Sequence, residues 1–428
     1  MKDLKNSKYN VIIKQEEGSL IYNTYSGAFG FIKGNYDLLD DLLKIDEPLF
    51  SQLLEGGFII RKDFDELNEL KKIYYESRKD NKYISITLLA SEDCNFSCPY
   101  CFIYQRRPIK MNDKVYENCI KLIENRANML SHLKIQFFGG EPLLNHTKNI
   151  IFLEKINKLI NSGVYKEFGL VTNGYLLDKN IFLDYLKRNV IFYQVTIDGS
   201  KNYHNKTRFT RNDKNTFDKI IKNIEDIKNV DGNFNFVIRV NFQSSDKEIN
   251  KLISYFRDKF KNDKRFNFVF RPIMDFKTRK ITNKIDICNE GEGKIQQMKY
   301  LFNFYSKDIV NYDERMVFLP KRIDSWCEAP KYNSFIIGAD GVVFKCDVEI
   351  GDKKFAVGIL KDNGEIELKE NIYTSYDPYK DQNCLNCKLL PICQGGCIRS
   401  RIVNKEGCYY TLELIEQMII EYHRMVSR

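Results

Sequence analysis

Ten of the twelve cysteines fall into two groups whose spacing suits metal chemistry. The first group is Cys94, Cys98 and Cys101, a C-x3-C-x2-C loop directly after an apolar run. Thiolate is a soft ligand that selects iron–sulfur clusters or zinc. With only four histidines in the chain, sulfur must dominate any such site. Iron–sulfur clusters normally take four cysteines, so a three-cysteine loop leaves one iron open to another ligand. Zinc would need a nearby fourth ligand, and neither cysteine nor histidine occurs in the next fifteen residues.

The second group lies near the C-terminus. Cys327 and Cys346 flank Gly341, and Cys384-x2-Cys387-x5-Cys393-x3-Cys397 is followed by Cys408. A zinc ribbon is the alternative to iron for such spacing. Of the two remaining cysteines, Cys119 shares a helical face with Val115, Leu122 and Ile123 and reads as a small core residue. Cys288 falls in a polar stretch with no motif around it.

The elements that must hold these residues follow from hydrophobic period. Strand-like runs at 83–90, 134–138, 169–172, 193–197, 234–242 and 266–274 alternate with amphipathic helical stretches near 113–130, 147–162, 178–188, 215–229 and 246–261. Such alternation predicts an α/β fold, an open parallel (β/α)6 partial TIM barrel, whose reactive end is the C-terminal tips of its strands. The cysteine loop follows the first strand, and Gly139-Gly140-Glu141-Pro142 follows the second. Thr172-Asn173-Gly174 follows the third, and Thr196-Ile197-Asp198-Gly199 the fourth. A β-β-α-α-β-α order is predicted for positions 1–80, resembling a winged helix-turn-helix. A helix near 292–308 and another over 411–426 flank the second cysteine region. Three parts are expected: 1–80, 83–290 and 291–428.

These motifs resemble the radical S-adenosylmethionine (SAM) superfamily. The resemblance rests on the three-cysteine loop with Tyr100 before its last cysteine, on Gly-Gly-Glu-Pro, and on His204-x3-Arg208. It implies that Cys94, Cys98 and Cys101 hold a [4Fe-4S] cluster and that Gly139, Gly140 and Glu141 hold the SAM amino group. Arg208, with Arg239 as competitor, would bind the SAM carboxylate, since a guanidinium can engage both oxygens. Asn173 and Asp198 would reach the ribose hydroxyls or serve the turns they sit in. The C-terminal cysteines resemble the iron–sulfur SPASM domain, which carries two auxiliary clusters. That likeness implies one closed cluster on Cys384, Cys387, Cys393 and Cys408, and another on Cys327, Cys346 and Cys397, making three [4Fe-4S] clusters.

The implied activity is peptide maturation. Cleavage of SAM gives a 5′-deoxyadenosyl radical that takes hydrogen from a ribosomally made precursor peptide and leads to a crosslink, a cysteine thioether in first place. The leader of that peptide would be bound by the segment 1–80, and a flavodoxin or ferredoxin would donate electrons. A carbon–carbon crosslinking maturase and a formylglycine-forming sulfatase maturase are the alternatives. The latter usually begin their cysteine loop close to the N-terminus and carry an eighth auxiliary cysteine soon after the position of Cys327, whereas the next dozen residues here contain none. A scaffold that merely carries clusters would have no need of an open iron. The general base is not legible.

Composition narrows the rest. The net charge is 67 − 58 = +9 over 428 residues, with lysines scattered rather than blocked, which argues against a nucleic-acid partner. No apolar run approaches membrane-spanning length, and the polar N-terminus has no signal-peptide core, so no membrane partner and a cytoplasmic, thiol-preserving location are expected.

Overall fold

The computed structural model describes residues 3–34, 46–103, 107–243, 245–274, 288, 290–305, 318–403, 405 and 407–427. The chain forms two compact units. One comprises Met1–Lys79, Tyr305–Lys331 and Ile372–Arg428, and the other Asp80–Phe304 and Tyr332–Asn371. These units cut across the three-part division read from the sequence. Met1–Lys79 belongs with the four-cysteine segment, and Tyr332–Asn371 belongs with the barrel strands.

In the first unit, β1 (Leu4–Asn6) pairs antiparallel with β5 (Ile59–Arg61), while β2 (Asn10–Lys14), β3 (Gly18–Asn23) and β4 (Phe29–Lys33) form an antiparallel sheet. Helix α1 (Glu47–Glu55) starts at Asp46, whose carboxylate accepts from the Leu49 N–H, with Pro48 in the first turn. Helix α2 is Glu66–Lys79. Strands β1 and β4 were not anticipated, and the helix expected over 36–43 lies outside the described residues.

The second unit is built on β6 (Tyr83–Ser91), β7 (His132–Gly139), β8 (Tyr165–Thr172), β9 (Val190–Asp198), β10 (Asn235–Phe242) and β11 (Phe266–Pro272), six parallel strands in sequence order. Between them run α3 (Asp113–Glu124), α4 (His146–Leu159), α5 (Lys179–Leu186), the short α6 (Lys201–Thr207), α7 (Thr216–Lys228) and α8 (Ile249–Phe260), with α9 (Glu290–Phe304) after β11. The α/β parallel core expected from the alternation is present. The strand face that the helices cover is apolar, and the cores of β6 and β7 are fully buried at Ile86, Leu88, Ile135 and Phe137. Cys119 is fully buried on α3, as its spacing requires.

One addition was not legible. Strand β12 (Ser334–Ile337) joins the free edge of β6 in parallel, and β13 (Val342–Phe344), β14 (Gly358–Leu360) and β15 (Ile366–Leu368) extend the sheet antiparallel. The chain returns to the first unit and ends in α10 (Leu412–Val426), capped by the Thr411 hydroxyl accepting from the Leu414 N–H. Among the described residues no helix is long and apolar enough to cross a membrane.

Candidate active site

The strand tips of the second unit surround a cavity of about 470 Å³, a size suited to a small-molecule ligand. Cys94, Cys98 and Cys101 all line it. Their loop is held at several points. The Phe96 N–H donates to the Cys94 sulfur at 3.4 Å, the Ser97 N–H to the Phe209 carbonyl at 2.9 Å, and the Phe96 ring is buried. Just before the loop, the buried carboxylate of Glu92 takes both arms of Arg107 at 2.6 Å and the Ala339 N–H at 2.9 Å. Arg107 also reaches Asp340 at 2.6 Å, which ties the loop to the turn before β13.

Gly139 and Gly140 line the same cavity. At φ +118°, Gly139 occupies backbone space that side chains avoid, and a Cβ there would lie 2.5 Å from the Ser91 carbonyl oxygen. A Cβ on Gly140 would lie 2.2 Å from the Asp93 carbonyl oxygen. Backbone bonds from Gly140 to Ser91 and from Glu141 to Asp93, both 2.9 Å, seat this tip directly on the root of the cysteine loop.

Glu141 and Asp198 are not among the lining residues, although the sequence assigned them cofactor contacts. The Glu141 carboxylate is fully buried and accepts from the Thr172 hydroxyl at 2.7 Å, the Asn173 N–H at 2.8 Å and the Leu143 N–H at 3.1 Å. Its work is to join the tips of β7 and β8. Burial still holds its carboxyl above the usual range, with the three donors opposing. Asp198 accepts from Thr207 at 2.7 Å and Asn241 at 3.1 Å, and the Tyr100 hydroxyl lies within 2.6 Å of both its oxygens.

Tyr100, Asn173 and Arg208 do line the cavity. The Asn173 side chain donates to Asn95 at 2.7 Å, and Arg208 donates to the Tyr100 hydroxyl at 3.1 Å. Arg208 is almost wholly buried, and its Nε has no hydrogen-bond partner among the described residues. Burial opposes its charge, but Tyr100, Cys98 and Asp198 outweigh that and keep it firmly ionised. Burial also pushes the Cys98 thiol up to about 12, with Arg208 opposing, whereas coordination to a metal favours the thiolate. His204 is fully buried and lies outside the cavity, accepting from the Asp198 N–H at 3.2 Å.

The donor set fits the implied cofactors. Three thiols on one wall suit a cluster with an open iron, and a glycine tip without room for side chains leaves backbone exposed beside it. The orphaned Nε of a buried arginine is a donor awaiting an anion. No group of three or more cysteine, histidine or acidic residues among the described ones closes tightly enough for a single metal ion.

The sequence reading missed most of the inward polar residues. Gln136 on β7, Gln194 and Thr196 on β9, Asn241 on β10 and Asp347 all line the cavity, together with Arg239, the competitor for the SAM carboxylate. Crowding by protein pushes the Asp347 carboxyl up while Arg239 opposes, and burial with the like charge of Arg271 lowers Arg239. Two residues apart on one strand face, Gln194/Thr196 and Arg239/Asn241 carried a readable period-two signal.

In the first unit, Cys384, Cys387, Cys393 and Cys408 come close enough to interact electrostatically. After burial, the other three sulfurs are what raise the Cys393 thiol, to about 12. Cys327 and Cys397 also lie in that unit, and Cys346 in the other. Tyr9, Leu70 and Tyr74 of the N-terminal segment pack with Cys384, Leu390 and Tyr379. Lys8 Nζ donates to the Leu385 carbonyl and the Thr24 hydroxyl to the Lys388 carbonyl, each at 2.5 Å. Cys288 is buried in the second unit with its sulfur 3.7 Å from the Phe242 carbonyl oxygen.

Residues 88–256 match the radical SAM superfamily. The cysteine-type anaerobic sulfatase-maturating enzyme of Clostridium perfringens is 28% identical over 379 residues, covering 79% of this chain and 96% of that protein. The radical SAM cyclopropyl synthase TigE of Paramaledivibacter caminithermalis is 25% identical over 429 residues, covering 92% of this chain and 84% of its own length. Among solved structures, Streptococcus suis SuiB bound to precursor peptide SuiA shares the fold, with a TM-score of 0.50 and 14% identity over 95% of this chain and 98% of SuiB.

Proposed function

From the match of residues 88–256 to the radical SAM superfamily, we propose that the chain matures a ribosomally made precursor peptide by installing a crosslink, a cysteine thioether in first place. The observation that carries the reading is the convergence of Cys94, Cys98, Cys101, Gly139, Gly140 and Arg208 on one cavity. When bound there, a [4Fe-4S] cluster with SAM supplies hydrogen-atom abstraction from an unactivated C–H bond.

The chain's own residues bind and orient. Cys94, Cys98 and Cys101 are the cluster ligands, and the backbone of Gly139 and Gly140 meets the SAM amino group. Arg208 takes the carboxylate through its free Nε, while Tyr100 and Asn173 complete the wall. Glu141 and Asp198 hold the strand tips and the loop that carry those groups. Two auxiliary clusters belong to the same reading. The nearness of Cys384, Cys387 and Cys408 to Cys393 supports the closed one, and the SPASM-like spacing of the cysteines supports a second. Forming a thioether removes two hydrogens from the peptide, one as an atom and one as a proton, and releases one electron. An auxiliary cluster suits that electron.

The leader would be held by the segment Met1–Lys79. Among the described residues no strand pairs with the outer edge of β4, so an extended leader could add there through main-chain hydrogen bonds. A flavodoxin or ferredoxin would supply reducing equivalents.

The test is anaerobic co-expression with a short cysteine-rich peptide encoded beside this chain, followed by mass spectrometry. Loss of two hydrogens with sulfur retained is expected. Conversion of a cysteine to formylglycine, with loss of sulfur, would replace this reading with sulfatase maturation, which the 28% identity to the Clostridium enzyme favours.

A further inference from the structure

Arg401 and Tyr376 converge on a single cysteine. Arg401 Nη1 donates to the Cys384 sulfur at 3.1 Å and to the Gly395 carbonyl at 3.2 Å, and Nη2 donates to Asp381 Oδ2 at 2.7 Å. The Tyr376 hydroxyl lies near the same sulfur and donates to the Gly395 carbonyl at 3.5 Å. The guanidinium carbon lies 5.8 Å from the centre of the Tyr376 ring. Cys384 is buried, so these donors act on it in a medium where charge is weakly screened. Nearby, the Leu389 N–H donates to the Cys387 sulfur at 3.3 Å. One side-chain donor, a permanent cation, therefore aims at Cys384, with the Tyr376 hydroxyl beside it.

We propose that Arg401 and Tyr376 are positioning residues that raise the reduction potential of the auxiliary cluster on Cys384, Cys387, Cys393 and Cys408, poising it to accept an electron. The inference rests on the closed-cluster reading above. Four thiolates on a [4Fe-4S] core give a net charge of −2 when oxidised and −3 when reduced. One electron enters from the reductant and no proton need follow. Hydrogen bonds to the sulfurs stabilise the more negative state and raise the potential, and a nearby cation adds to this. Asp381 Oδ2 lies 3.7 Å from the same sulfur and would have the opposite effect, and its pairing with Arg401 Nη2 offsets that charge. If Arg401 served only to brace Asp381 and Gly395, its loss would change stability and leave the potential where it was.

The experiment is a potentiometric titration of the fully reconstituted protein, followed by electron paramagnetic resonance and with iron content measured in parallel. Arg401→Met should lower the midpoint of one cluster, with at least a tenfold fall in its reduced-to-oxidised ratio at fixed potential, equal to about 59 mV for one electron. Tyr376→Phe should shift the same cluster in the same direction by less, and Arg401→Lys should fall between Met and wild type. Tyr376→Phe removes one hydroxyl alone, so it decides the matter if Arg401→Met fails to assemble. Unchanged midpoints in iron-replete variants would overturn the inference and leave the cluster assignment standing. If Cys384→Ser removes no cluster signal, the assignment itself falls, and the inference with it.

Discussion

The Tyr100 hydroxyl lies 2.6 and 2.5 Å from the two carboxylate oxygens of Asp198, joining the cysteine loop to the tip of β9. Asn241 and Thr207 donate to the same carboxylate. Arg208 stands 4.0 Å from it and donates to the tyrosine. Tyr100→Phe would leave a buried carboxylate short of a donor, at a cost of about 1–3 kcal/mol. The variant should fold with a lower Tm and hold iron on Cys94, Cys98 and Cys101 less tightly. Chelator challenge of the reconstituted protein reads this, and wild-type retention would refute a loop-holding role.

Arg208 is assigned the SAM carboxylate. Lysine keeps the charge but not the planar fork, so Arg208→Lys should weaken SAM binding by about tenfold to a hundredfold, the worth of one charge-assisted hydrogen bond. Equilibrium dialysis with the reconstituted protein measures it. If affinity is unchanged, Arg239, which also lines the cavity, becomes the candidate.

His204 gives the fold a pH dependence whose sign can be worked out. The Asp198 N–H donates to Nδ1, so Nε2 carries the proton and donates to the Thr216 hydroxyl at 3.2 Å. Burial, with Arg208 adding, holds the imidazole well below its ordinary value of 6.5. The unfolded chain then binds the extra proton first. The contribution of this residue is present above about pH 6.5 and lost as pH falls. Denaturant melts between pH 5 and 7.5 should show that slope, and His204→Gln should flatten it while lowering stability overall. An equal slope in both proteins would contradict a neutral, buried imidazole.

The six barrel strands were legible because each buries a set of apolar side chains in a short run between amphipathic helical stretches. Strands β12 to β15 were not, since three or four residues such as Val342–Phe344 carry too little period to separate strand from loop. The glycine tip and cysteine loop were legible as motifs. The hydrogen-bond partners of Glu141 and Asp198 were not, because sequence cannot say which neighbouring elements a carboxylate at a strand tip will join. Nor could it show that Tyr9, Leu70 and Tyr74 pack beside Cys384. Contacts between distant parts of the chain, such as Lys8 to Leu385, leave no local pattern.

That packing has a consequence for deletion. Removing Met1–Lys79 would uncover the hydrophobic cluster that includes Cys384 and Leu390. Such a truncation should lose auxiliary iron as well as leader binding. Iron analysis against the full chain tests this, and full iron content in the truncated protein would contradict it.

The most direct test of the central claim compares Cys98→Ala with the wild type after anaerobic reconstitution, reduction by dithionite and addition of SAM. The wild type should form 5′-deoxyadenosine and methionine in equal amounts. The variant should form neither while keeping about two-thirds of the iron, because the auxiliary clusters have their own ligands. Wild-type SAM cleavage by Cys98→Ala, or no cleavage by the fully loaded wild type, would contradict the account.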